Sequence, residues 1–137
     1  MRVTIITPTY NRANLLPETI ESILNQDYDA IEYLVLDDGS SDNTQSVLAR
    51  YGDRIRTERH PNMGETRTVN KAFTMATGDI ICVVSSDDPL LPGAVNEAVK
   101  AFRANPAAVA VYPDWATIDE HGDTLYTVRL ADYTASN

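Results

Sequence analysis

Short apolar, β-branched runs alternate along this chain with stretches whose apolar positions recur every three or four residues. Residues 3–7 read as a buried first strand broken by Pro8. Ile20, Ile23 and Leu24 then fall at helical spacing, with Asn11 and Asn14 as candidate caps and Pro17 in the first turn. Residues 31–36 form the second strand, and Val47, Leu48 and Tyr51 mark the inner face of the next helix. Residues 54–59 alternate charged positions, as a third strand at a sheet edge would. Val69, Ala72, Phe73 and Ala76 give a clear amphipathic helix ended by Gly78, followed by a strand over 80–84. Val95, Ala98, Val99 and Phe102 repeat the helical spacing until Asn105-Pro106. A fifth strand is expected over 109–112, and a hairpin through EHGD joins Trp115–Ile118 to residues 125–128, with Trp115 assigned to the core. At least four strand–helix alternations predict a three-layer, Rossmann-like α/β fold with a mostly parallel sheet.

That fold class changes the reading of two acidic turns. DDGSSDNT at 37–44 follows the second strand, and SSDDPLLPG at 85–93 follows the fourth. Parallel strands end on one side of their sheet, so Asp37, Asp38, Asp87 and Asp88 are expected to face one crevice, where open α/β sheets bind ligands. Tyr10, at the end of the first strand, adds an aromatic ring to the same edge. Neighbouring carboxylates repel unless protons, hydrogen bonds or a cation offset the charge, and a divalent ion bridging to a diphosphate would do so. Such turns also arise from capping alone, and a solvated Arg67 or an Asp38 that only closes its turn would fit the pattern equally.

Composition narrows the partners. The 137 residues are 43% hydrophobic and 23% charged, ordinary for one soluble globular domain spanning 1–137. Twenty acidic against eleven basic residues, net −9, argue against nucleic acid or anionic lipid. The single cysteine, Cys82, falls inside a strand and reads as a small core residue. No apolar run approaches a signal peptide or a membrane span, which suits the cytoplasm, including the cytoplasmic face of a membrane. After the hairpin, ADYTASN offers no helix for the second sheet face. A longer polypeptide, and self-association of this part alone, are therefore expected.

The motifs TPTYNR (7–12), DDGSSDNT (37–44), ATGDIICVVSSDDPLLPGAV (76–95) and VYPDWATIDEHGD (111–123) resemble, in order and spacing, family-2 glycosyltransferases of the GT-A fold. The resemblance implies transfer of a sugar, with inversion, from a nucleotide diphosphate, most often UDP, to a sugar, lipid-linked or protein acceptor that this chain does not name. It implies that Pro8, Thr9 and Tyr10 line the base pocket and that Asp38 accepts a hydrogen bond from the base. Removing Asp38 should then cost affinity and little stability, because Gly39 and Ser40 keep the turn. Arg12 and Arg67 become candidates for the diphosphate, and Ser86 joins the donor-binding set. Asp87 matches the last aspartate of the family's D-x-D motif and would hold Mn²⁺ or Mg²⁺ with Asp88 beside it. The first D-x-D position is Ser85, which adds no charge. No catalytic base stands out, and the resemblance puts it, with the acceptor-binding part, beyond residue 137. Two other readings stay open: a nucleotidyltransferase, which would need the Gly-rich basic loop that TPTYNR lacks, and a non-catalytic nucleotide-sugar module, consistent with Ser85.

Overall fold

The computed structural model describes residues 1–119 and 121–128. The chain divides into two compact units, Met1–Asn96 and a second that begins at Glu97. The first unit is built on a four-stranded parallel sheet of β1 (Val3–Thr9), β2 (Ile31–Asp37), β3 (Arg56–Arg59) and β4 (Ile80–Val83), in the order β3-β2-β1-β4. Its helices are α1 (Leu16–Leu24), α2 (Thr44–Ala49) and α3 (Glu65–Met75).

Every residue of β1 is buried, as expected for a strand covered on both faces. On one face Ile6, Leu34 and Leu36 pack with Ala72 of α3, flanked by Met75 and Ala76. The opposite face carries Ile5 and Val35, fully buried. There the Tyr33 hydroxyl meets the Thr7 hydroxyl at 3.1 Å, and burial pushes the Tyr33 phenol well above its ordinary pKa. Helices α1 and α2, which touch each other, bury Leu16, Ile20, Ile23, Val47 and Leu48. The sheet is thus sandwiched between helical layers, as the alternation of patterns predicts.

A carboxylate locks the lower end of the sheet. Glu32 Oε2 accepts hydrogen bonds from the Thr4 hydroxyl (2.7 Å), the Thr77 backbone N–H (2.8 Å) and the Thr77 hydroxyl (3.0 Å). Arg2 and Arg56 lie 3.7 and 3.9 Å from Oε1. Burial opposes this charge, but the hydrogen bonds and the Arg2 guanidinium hold the carboxyl below its usual range. The network ties the exit of α3 to β1 and β2.

Four expectations need correction. The inner stripe of α3 is Thr68, Ala72, Met75 and Ala76: it keeps Ala72 and Ala76 of the predicted stripe, but Thr68 and Met75 take the inner positions assigned to Val69 and Phe73, and Phe73 is 44% exposed. Residues 109–112 form no strand: they pair with nothing among the described residues, and Val109 is fully open to solvent. With no strand alongside to form a ladder, the exposed backbone groups of this segment are left to water. Trp115 is half-exposed rather than core. Asn11 and Asn14 do not cap α1, whose N-cap position is Leu15 with no side-chain bond.

In the second unit, β5 (Trp115–Ile118) and β6 (Thr124–Val128) form the expected antiparallel hairpin. Asp119 Oδ1 closes its turn by accepting the N–H groups of His121 and Asp123. Helix α4 (Ala94–Ala104) spans the boundary between units, and Val95 and Val99 of its predicted stripe are buried. The tail ADYTASN lies outside the described residues. Among those described, no helix is long and apolar enough to cross a membrane.

Candidate functional site

The strand order reverses direction beside β1, whose neighbours are β2 and β4. Such a switch point leaves a crevice at the carboxyl ends of the strands. Pro8 helps open it. Val84 donates to the Ile6 carbonyl on the β4 side, and Asp38 donates to the Thr9 carbonyl on the β2 side. Alternate residues of a central parallel strand address opposite neighbours, so Pro8 faces the β4 side, where it has no N–H to give. The β1–β4 pairing stops at Ile6 while β1–β2 continues to Asp37.

The resulting cleft has a volume of about 350 Å³. The end of β1 contributes Pro8, Thr9, Tyr10 and Arg12, and the turn after β4 contributes Ser85, Ser86 and Asp87. Asp38, Asn62, Gly64 and Glu65 complete the wall. Seven of the predicted donor-binding residues therefore meet in one place. Tyr10 is 47% exposed there instead of packing on α1. The Thr9 hydroxyl is buried without a hydrogen-bond partner among the described residues, a rare state for a polar group.

Arg12 and Asp87 face each other across the cleft, with Nε 3.7 Å from Oδ2 and both side chains about half-exposed. Two expected members lie elsewhere. Arg67 is exposed on α3 and lines no part of the cleft, because its helical position points away from the sheet. Asp88 is exposed in the turn, where its N–H donates to the Ser85 carbonyl at 3.2 Å, and it too is absent from the cleft wall.

The two aspartates after β2 divide their work. Asp37 is fully buried and turns away from the crevice: its Oδ1 accepts the Ser40 N–H at 2.9 Å, and Oδ2 meets Gln45 and, at 3.5 Å, Arg59. Asp38 borders the cleft but is also a latch. Its Oδ1 accepts the Met63 N–H at 2.7 Å and Oδ2 the Gly64 N–H at 2.9 Å, while its carbonyl accepts from the Asn62 side chain. The loop it holds forms one wall of the site. Gly39 belongs to this clamp, since a Cβ there would sit 2.7 Å from the Asn62 nitrogen, and its φ of +77° also favours glycine. The expectation that losing Asp38 has a modest effect on folding must include two backbone donors, Met63 and Gly64, that would lose their acceptor.

Read from the sequence, His60 has no role. Its side chain is 7% exposed, with Nδ1 3.4 Å from Asp38 Oδ1 and Nε2 3.4 Å from the Thr68 hydroxyl, so it packs between the latch and α3. A histidine before proline in a polar loop gave no sign of that burial.

Among the described residues, no three His, Cys, Asp or Glu side chains converge as a metal cage. The cleft instead offers Asp87 with the hydroxyls of Ser85 and Ser86. On the β4 side this is one carboxylate with neutral oxygens, which suits an Mg²⁺-like ion whose remaining ligands are phosphates and water, while Asp38 and Glu65 belong to the rest of the wall.

Residues 4–129 match the family model for glycosyl transferase family 2. The chain belongs to this family. It is 34% identical over 130 residues to an uncharacterized glycosyltransferase of Rickettsia felis, covering 93% of this chain and 22% of that protein. Over 126 residues it is 34% identical to the chondroitin synthase of Pasteurella multocida, covering 90% of this chain and 13% of the synthase. The chain thus spans less than a quarter of the length of these two relatives. Among solved structures, Staphylococcus aureus TarS 1-349 aligns with a TM-score of 0.72 at 26% identity, covering 77% of this chain and 33% of that one. TarS 1-349 has also been solved with UDP-GlcNAc, aligning at a TM-score of 0.71 and 26% identity over 77% of this chain and 32% of that one. The Pyrobaculum calidifontis mannosyltransferase PcManGT, solved with GDP-Man and Mn²⁺, aligns at 0.68 and 31% identity, covering 78% of this chain and 33% of that one. These GT-A glycosyltransferases share the mostly parallel sheet with flanking helices of this family-2 chain.

Proposed function

We propose that this family-2 chain is the donor-binding part of an inverting, metal-assisted glycosyltransferase, with a UDP-sugar as donor. The observation that carries the reading is the single cleft in which Tyr10, Thr9, Arg12, Asp38 and Asp87 meet at the switch point of the sheet. Tyr10 offers a flat face to a base. Asp38 has spare lone pairs on both oxygens beyond its backbone bonds and can accept an imide N–H. Arg12 can take the diphosphate, leaving Asp87 to a cation held jointly with the phosphates. Such a cation would offset charge on the departing diphosphate. The solved relatives that carry UDP-GlcNAc or GDP-Man support a nucleotide-sugar donor.

Ser85 favours a second reading, nucleotide-sugar binding without transfer, because Asp87 is then the one aspartate of that turn in the cleft wall. Thermal unfolding with UDP, UMP, uridine and GDP, each with and without Mn²⁺, tests the donor assignment. UDP with Mn²⁺ should stabilise most, by about 2.7 kcal/mol at a hundredfold excess over Kd. Equal shifts for UDP and uridine would remove the diphosphate from the site.

A further inference from the structure

Between Tyr10 and Arg12 stands a residue that touches no part of the cleft wall. Asn11 is the only non-glycine with a positive φ among the described residues, at 53°. Asparagine tolerates this left-handed conformation better than most residues, yet it still carries a cost that something must offset. The offset is visible. Asn11 Oδ1 accepts the Ser41 N–H at 2.8 Å, the Ser41 hydroxyl at 3.3 Å and the Asp42 N–H at 3.3 Å. In return, the backbone N–H groups of Asn11, Arg12 and Ala13 donate to the Ser40 hydroxyl (2.9 Å), the Thr44 hydroxyl (3.3 Å) and Asp42 Oδ2 (3.1 Å).

Each loop thus satisfies the other's open backbone groups, and the amides at the entry of α2 are served by a side chain from the β1 loop. The left-handed turn at Asn11 redirects the chain between Tyr10 and Arg12, both of which line the cleft. We infer that Asn11 is a positioning residue: it bolts the β1 loop to the β2 loop and holds Tyr10 and Arg12 in place to receive the nucleotide diphosphate. This rests on the donor reading for the ligand, while the bolt itself is a property of the free chain.

Two measurements on the whole chain test it. Amide hydrogen exchange at Ser41 and Asp42, without ligand, should accelerate about tenfold in Asn11→Gly, the scale of a lost hydrogen bond, with β1 and β2 core amides unchanged. Glycine keeps the positive φ, so the fold should survive the substitution. Calorimetry should then show UDP affinity about tenfold lower in Asn11→Gly, with little further loss when Asn11→Gly is added to Tyr10→Ala and Arg12→Ala together. A merely structural asparagine would give additive losses. Unchanged exchange at Ser41 and Asp42, or additive losses, overturns the proposal. A parent chain that binds no nucleotide overturns the donor reading instead, and the exchange result still decides whether Asn11 joins the loops.

Discussion

At the scale of single residues, position along the chain and role in the structure part company. Asp37 and Asp38 are adjacent and chemically identical, yet one braces the turn and the other latches a loop beside the cleft. Asp38→Ala leaves the Met63 and Gly64 N–H groups without their acceptor, and with Gly64 exposed and Met63 partly so each lost hydrogen bond costs about 0.5–1.5 kcal/mol. Chemical denaturation should therefore show a clear loss of stability, and an unchanged midpoint would mean that water or the loop itself replaces the carboxylate. Arg12→Gln should behave in the opposite way. Its ion pair with Asp87 is solvent-exposed and contributes about 0–1 kcal/mol, so the midpoint should hold while UDP affinity falls. The carboxylates after each strand were legible in the sequence because parallel topology sends them all to one edge. Which of them turns inward was not, because that depends on partners such as Arg59, Gln45 and residues 63–64, supplied from elsewhere in the chain.

At the scale of elements, the helical and strand periods identified β1, β2, β4 and α1 to α4, and the charged alternation marked β3 correctly as an edge. The stripe of α3 was misjudged because Phe73 looks apolar in sequence but lies outside the groove that Ala72 fills. Residues 109–112 have a strand's composition and no partner, and composition alone cannot provide a ladder. Glu32 escaped notice as a lone acid in an apolar run, although it joins three elements. Its carboxyl is held below its usual range, so its stabilisation is full above the unfolded-state value, about 4.3, and fades as pH falls through the folded value. Glu32→Gln should flatten the acid limb of the stability curve. If the acid limb of the variant follows that of the parent, another carboxyl controls it.

At the scale of the whole molecule, the sheet's α3 side is incompletely covered. Ile81 and Val83 of β4 are 42% and 45% exposed, and Phe73 of α3 is 44% exposed. Val83 is in register with Ile6, on the face that Ala72 covers further along. Apolar surface of this kind promotes association, so sedimentation should show oligomers growing with concentration, and Val83→Ser with Ile81→Ser should suppress them. A monodisperse monomer at high concentration would contradict this. None of it alters the central claim, which concerns the cleft at the carboxyl ends of the strands. That claim is tested most directly by calorimetric titration of UDP into the parent chain and into Asp87→Asn, each with and without Mn²⁺. The account predicts UDP binding that Mn²⁺ strengthens in the parent and leaves unchanged in Asp87→Asn. Equal strengthening by Mn²⁺ in both proteins, or no UDP binding by the parent under either condition, would contradict it.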